Sequence, residues 1–390
     1  MEKKIGFGTA LSLMALTSAV TFVLTLSVSR TVFNSKVSEI DRLAEKYARL
    51  DELDAVVRRE FYQEVPEEDV LDGMLMGYVY GLGDRYSTYR SDREYEEYQD
   101  SNAGVYVGIG ITVQVPESGD AQIVDVSAGG SAEKAGIEAG DWLVEVEDIK
   151  VDGNYQDAIA AIEGEVGTKV RLLIRKHDSD EEKEYKVARA KIDEVTVESE
   201  MLPDKVGYIR VSKFRTVTAE QFAEARQNLL DQGAKAFIFD VRDNGGGVLS
   251  ALEKMVDPML PEGELAFAQS RSGESSPIVK SDANKMEMPY AVLVNGNTAS
   301  ASELFACLMR DYADAVLVGE QTFGKGIMQT TFELEGGGVT LTTATYSTGK
   351  SPCYHEVGLE PDIIVEQAEG EADTQLAAAQ EAIGKKLADA

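Results

Sequence analysis

The chain reads as an α/β protein with a small β-rich, two-helix domain inserted ahead of its main core and a helical segment at its amino terminus. Three observations support this. Short apolar runs at Ala236–Val241, Tyr290–Val294 and Ala315–Val318 each lead into a turn or a helix, as buried strands alternating with helices do. Four β-rich runs crowd between Val105 and Arg189. From Val37 to about Asp100, apolar residues instead return every three or four positions.

The first element is the uncharged stretch Ile5–Val28, preceded by Lys3 and Lys4. As a helix rising ~1.5 Å per residue it covers about 36 Å, enough to cross a bilayer with some tilt. Ser27-Val28-Ser29 offers a small-x-small site for a cleaved signal, but the stretch exceeds the ~7–15 residues of a signal core. Residues 1–30 are therefore expected to anchor the chain, with the lysines inward and everything after them outside the cytoplasm.

Residues 31–101 form the helical segment. Leu43, Tyr47, Leu50, Leu53 and Val57 share a face, read as packing on the domain's own core, and Tyr80–Tyr98 reads as a helix-turn connection. Residues 102–191 hold the β-rich runs Tyr106–Val113, Ala121–Val126, Trp142–Val146 and Val170–Ile174, with helix-like stretches at Ser131–Ala135 and Tyr155–Ile162. Residues 192–370 are the main core, to which Val339–Tyr346 adds a Thr-rich strand. Residues 371–390 carry an Ala- and Gln-rich helix, Thr374–Leu387, expected to be exposed.

Composition narrows the chemistry. At 390 residues the chain suits two or three domains of ~150 residues, and 43% hydrophobic residues suffice for a core. A net charge of −31 repels polyphosphates, so no nucleic-acid partner is expected. Two Cys (Cys307, Cys353) and two His (His177, His355) rule out a disulfide framework, a zinc ribbon and a multi-His metal cluster. They also weigh against a Ser-His-Asp triad. No cofactor and no metal is expected.

Four local patterns bear on the site. Gly245-Gly246-Gly247 follows a strand and precedes the apolar helix Val248–Met255, which reads either as a bare turn or as a loop of free N–H groups. It does not match G-x-G-x-x-G. Gly319–Lys325 has phosphate-loop spacing, but Gly326 stands where the metal-binding hydroxyl is needed and a strand-like run follows, against an NTPase. Ser347–Lys350 has Ser-x-x-Lys spacing without its companion motifs and reads as a turn. Asn297–Glu303 precedes the helix Leu304–Met309. There Ser300 and Glu303 fit a capping box, while a nucleophile at the same position would face free N–H groups and a dipole favourable to an oxyanion.

From about Glu60 to Ile364 the chain resembles the carboxy-terminal processing peptidases, which use a Ser-Lys dyad. Val241-Arg242-Asp243-Asn244-Gly245-Gly246-Gly247 matches their Leu-Arg-x-Asn-Pro-Gly-Gly stretch, with Gly for Pro and Val for Leu. Thr298–Glu303 matches the nucleophile motif with Ser300 in the serine position, and Gly324–Gln329 matches G-K-G-x-x-Q. Lys325 follows Ser300 by the family's 25 residues, and Val357–Asp362 is similar to its terminal motif. The inserted domain resembles a PDZ domain. Gly108-Ile109-Gly110-Ile111 looks like its carboxylate loop, and Ala139–Val146 like the strand after its first helix.

The resemblance implies a crotonase-like α/β peptidase core and a serine endopeptidase acting on proteins or peptides with apolar carboxyl-terminal tails, which the amino-terminal stretch would make membrane-anchored and extracytoplasmic. Ser300 would be the nucleophile and Lys325 the base, with Gln329 orienting the amine. The backbone N–H groups of Gly246 and Ala301 would form the oxyanion hole, and Gly108–Ile111 would take the substrate carboxylate. A homodimer through the helices from Val37 and the last helix is implied too. The alternative is an inert peptide-binding PDZ scaffold, against which the intact Ser300, Lys325 and Gln329 speak.

Overall fold

A computed structural model describes residues 6–115, 119–127, 129–179, 181–282, 285–367, 370 and 372–389. Its packing divides the chain into two units, residues 1–75 and 76–390.

The first unit is dominated by helix α1 (Phe7–Glu60), whose stretch Phe7–Asn34 is long and apolar enough to cross a membrane. Lys3, Lys4 and Ile5 lie outside the described residues. Contrary to the expected burial, Leu43, Tyr47, Leu50 and Leu53 are exposed, and no described residue of this unit is buried. A 54-residue helix is about 81 Å long, and the 14-residue helix α2 (Glu67–Tyr80) that follows it is far too short to cover such a rod. Arg58 ties the turn between the two helices by pairing with Asp54 and Glu67.

The second unit opens with a finding the sequence did not announce. Within the expected helix-turn connection, residues 88–91 form strand β1 (Thr88–Ser91), which pairs with a strand some 250 positions later. Helix α3 (Asp92–Ala103) follows, its Ser91 N-cap amide bonded to Glu94 and its end closed by Gly104 at φ 80°.

The β-rich domain begins at β2 (Val105–Gly108) and β3 (Ile111–Gln114), so the run expected as one strand is broken at Ile109-Gly110. Next come β4 (Ala121–Val126), α4 (Ser131–Ala135), β5 (Trp142–Val146), β6 (Ile149–Lys150), α5 (Tyr155–Ala160), β7 (Lys169–Arg175), β8 (Glu182–Ala188) and β9 (Ala190–Asp193). The sheet order is β3-β4-β5-β7-β8, with β6 beside β5, and β3 is left at its edge. Ile109, Ile123, Leu143, Leu172 and Ile174 fill a core of its own. The domain enters on β2 and leaves on β9, and these two strands pair with each other.

The main core continues with β10 (Val197–Leu202), β11 (Val206–Val211), α6 (Thr218–Asp231), β12 (Ala236–Asp240), α7 (Leu249–Val256), β13 (Gly263–Ser270), β14 (Ser275–Ser281), β15 (Tyr290–Val294) and α8 (Ala301–Ala313). The remaining elements are β16 (Val316–Gly319), β17 (Ile327–Leu334), β18 (Gly337–Thr348), β19 (Ile363–Ile364) and α9 (Thr374–Asp389). One sheet has the order β10-β11-β12-β15-β16-β19, parallel from β11 onward. Its central strands are apolar at nearly every position because both faces are covered. Phe237, Phe239 and Val292 point into the core with α7 and α8, while Ala236, Ile238 and Leu293 meet Ala379 and Ile383 of α9. The last helix is therefore docked through its Ala/Ile stripe rather than exposed. The second sheet is antiparallel, β1-β18-β13-β14, with β17 also on β18.

Candidate active site

Three loops leave the carboxyl ends of the parallel strands β12, β15 and β16, the end at which open α/β sheets hold their ligands. Hydrogen bonds stitch them together. Thr298 Oγ1 donates to the Val241 carbonyl at 2.9 Å, the Ala299 N–H to the Asn244 carbonyl at 3.0 Å, and the Phe323 N–H to the Thr298 carbonyl at 3.0 Å. Buried Asn244 ties its own loop by donating to the Val211 carbonyl at 2.8 Å.

Ser300 stands at the N-cap of α8 with φ 58° and ψ −119°, a region that costs an L-residue ~1–3 kcal/mol. Glu303 holds it there, and this carboxylate does more than cap. Wholly buried, it accepts the Ser300 N–H at 2.9 Å and the Lys325 N–H at 2.8 Å on Oε2. Its Oε1 accepts the Gly324 N–H at 2.7 Å and Thr322 Oγ1 at 2.5 Å. One side chain thus fixes the serine turn and the lysine loop relative to each other. Tyr346 adds to this by donating to the Lys325 carbonyl at 2.8 Å.

Ser300, Ala301, Gly246, Lys325 and Gln329 all line one cavity of about 690 Å³, together with apolar Leu249, Ile278, Leu304, Ile327 and Met328. Lys325 is half-buried, and its amine lies 4.5 Å from the centroid of the Tyr86 ring. Burial lowers the pKa of this ammonium below the ordinary lysine value, and the nearby Arg85 charge lowers it further. A hydroxyl and an amine of weakened basicity in one partly apolar cavity suit proton abstraction and acyl transfer.

Two expected contacts are made differently. Gln329 donates to Thr342 Oγ1 at 3.2 Å rather than to the amine. The Gly246 N–H donates to Asn244 Oδ1 at 2.9 Å, whereas the Ala301 N–H opens α8, where the first turn has no helical acceptors. Gly246, at φ 95°, is nonetheless pressed against the serine turn, where a Cβ would sit 2.8 Å from Ala301 N and 2.9 Å from Ser300 Cβ.

Gly108–Ile111 lies outside this cavity. Gly108, Ile109 and Gly110 are buried and Ile111 is half-buried, and Gly110 takes φ 81° as the chain turns into edge strand β3. Glu138, Asp141 and His177 cluster in the same domain, but Lys176 already donates to Glu138 and Asp141 at 2.8 Å each, filling the place of a cation. Cys307 and Cys353 are both free thiols. Sequence reasoning missed the linking role of Glu303, which its motif contained, and the approach of Tyr86, which no local pattern signals.

Comparison with known proteins identifies the family and the inserted domain. Residues 205–365 match peptidase family S41, and residues 122–176 match the PDZ domain. The carboxy-terminal processing protease CtpA of Bacillus subtilis is 31% identical over 324 residues, covering 82% of this chain and 69% of that protein. The carboxyl-terminal-processing protease of Synechocystis is 33% identical over 281 residues, covering 70% of this chain and 66% of that protein. A solved S41 protease from Bacteroides fragilis shares the fold, with a TM-score of 0.50 and 17% identity over 85% of this chain and 97% of that one. The chain therefore belongs to peptidase family S41, as a PDZ-containing serine peptidase of the carboxy-terminal processing group.

Proposed function

We propose that the protein is a membrane-anchored, extracytoplasmic endopeptidase that captures carboxyl-terminal tails through its PDZ domain and cleaves by a Ser300–Lys325 dyad on a crotonase-like core. The observation that carries this reading is the convergence of Ser300, Lys325, Ala301 and Gly246 on one cavity, with the amine half-buried against an aromatic ring. The anchor is supported by the apolar stretch Phe7–Asn34. Capture of tails is supported by the loop Gly108–Ile111 leading into edge strand β3, to which an extended peptide can add.

In this mechanism the neutral Lys325 amine turns from Tyr86 toward Ser300 and takes the Oγ proton as Oγ attacks the scissile carbonyl. The Ala301 N–H donates to the oxyanion, and Gly246 joins it by releasing Asn244 Oδ1. Each such donor is worth ~10²–10³ in rate. The ammonium then protonates the departing amine, leaving an acyl-serine and a neutral lysine. Water attacks the ester with its proton passing to Lys325, and the acid product leaves as Ser300 regains a proton. Gln329 orients the amine once it leaves Thr342.

The test is cleavage of an unstructured protein with an apolar tail by wild type and Ser300→Ala. Cleavage lost in a variant that still binds the tail supports the dyad. Cleavage retained by Ser300→Ala rejects it, and a wild type that binds without cleaving leaves the scaffold reading.

A further inference from the structure

The turn before β1 faces the proposed base. Asp84 ties this turn, its Oδ1 accepting the Tyr86 N–H at 3.1 Å and its Oδ2 accepting Ser87 Oγ at 2.6 Å. Ser87 Oγ in turn accepts the Thr342 N–H at 3.1 Å, between the stretches of β18 that pair with β1 and with β13. The turn is thus fastened to the hairpin β17–β18, which starts two residues after Lys325. Two cations share the Tyr86 ring. The Lys325 amine lies 4.5 Å from its centroid and the Arg85 guanidinium 4.6 Å, which bounds their separation at about 9 Å. Arg85 also donates to the Tyr86 hydroxyl and lies 5.8 Å from the ring of Phe323, a residue of the lysine loop.

We propose that Arg85 and Tyr86 are positioning residues for the base: the ring is the wall on which the amine rests, and the guanidinium on that ring disfavours a second positive charge beside it, keeping Lys325 neutral at working pH. The proposal rests on the Ser300–Lys325 reading. Asp84, Tyr98 and Glu303 favour the charged form of the amine, whereas burial and Arg85 oppose it and prevail. Asp84 is engaged by Ser87 and the Tyr86 amide, and all four bonds to Glu303 come from other donors. Among the other charged cavity residues, Lys213 and Arg215 face Glu194, and Asp243 accepts the side-chain amides of Asn295 and Asn297. Arg85 is therefore a like charge that acts on the amine against the carboxylates of Asp84 and Glu303.

Two unit charges about 9 Å apart shift a pKa by ~0.3 units at the dielectric of water and ~1.4 units at an effective dielectric of ~20. Because only the neutral amine accepts a proton, removing Arg85 should move the acid limb of the activity profile to higher pH by that amount. On that acid limb, where most of the lysine is protonated, activity then falls about 2- to 25-fold. The experiment measures kcat/KM against pH for the full-length protein in detergent on an unstructured peptide. It compares wild type, Arg85→Gln, Arg85→Lys, Tyr86→Leu and Lys325→Ala.

Arg85→Gln should show the shifted limb and recover its rate at high pH. Arg85→Lys should restore the wild-type profile, and 1 M salt should narrow the gap between wild type and Arg85→Gln. Tyr86→Leu should lower the plateau as well, because the amine loses its wall. A merely structural Arg85 would lower the rate at every pH without moving the limb. An unmoved limb in Arg85→Gln overturns the assignment of Arg85, and an unchanged plateau in Tyr86→Leu overturns that of Tyr86. If Lys325→Ala still cleaves, the dyad itself has failed, an outcome distinct from both.

Discussion

Replacing Glu303 by glutamine keeps the shape of the side chain and removes one of its two acceptor oxygens. In the wild type four donors converge on that carboxylate, from Ser300, Lys325, Gly324 and Thr322. Thr322 can adapt by rotating its hydroxyl, so the amide nitrogen is best tolerated toward Oε1, where the Gly324 N–H then loses its acceptor. A buried donor without a partner costs ~1–3 kcal/mol, and the three surviving bonds fall from the charge-assisted to the neutral class. The loss should total about 3 kcal/mol, since relief from burying a charge offsets part of it. For the unit formed by residues 76–390 that corresponds to a fall in Tm of roughly 4–5 °C. The activity effect should be larger than the stability effect, because the same bonds hold Ser300 at φ 58° and the lysine loop in register with it. A displacement of about 1 Å there costs ~10²-fold in rate. Thermal unfolding followed by circular dichroism, with peptide cleavage below the transition, measures both. A Glu303→Gln protein that melts within about 2 °C of wild type and cleaves at the wild-type rate would refute the linking role.

Gly246→Ala should reduce cleavage at least ~10²-fold, because its Cβ would lie 2.8 Å from both the Ala299 carbonyl oxygen and Ala301 N. Gly245→Ala, which meets nothing within 4 Å, should lose far less, and equal losses would count against the close approach. Wild-type activity should rise with pH through the lowered Lys325 pKa, since the ammonium cannot accept the serine proton; a rate that is flat or falls over that range contradicts a lysine base. Amidating a substrate's carboxyl terminus should weaken its capture, and equal turnover of the free and amidated forms well below saturation removes Gly108–Ile111 from the binding site.

Much of the fold was legible because its signals are local. The β-rich run Ala121–Val126 and the apolar run Tyr290–Val294 stand as strands with those bounds, since burial on one or both faces dictates such patterns. Ser300 and Lys325 were reachable through motifs and the spacing between them. The unread parts depend on distant partners. β1 exists because Thr88–Ser91 finds Gly337–Thr340, and nothing within Tyr80–Tyr98 encodes that pairing. Tyr86 and Arg85 reach Lys325 by the same route. The stripe of α9 is mostly alanine, too weakly apolar to announce its docking, yet Ala379 and Ile383 are fully buried. Conversely, Leu43, Tyr47 and Leu50 looked like a core-facing stripe, but their helix outruns any surface within its unit that would cover them.

The most direct test of the central claim labels the protein with a fluorophosphonate, maps the modified residue by mass spectrometry, and repeats the labelling and the cleavage assay with Lys325→Arg. Arginine keeps the positive charge but has a pKa above ~12, so it cannot serve as a neutral base. The dyad predicts a label on Ser300 in the wild type, with both label and cleavage lost in a folded Lys325→Arg protein. A label on another residue, or wild-type cleavage by Lys325→Arg, would contradict it.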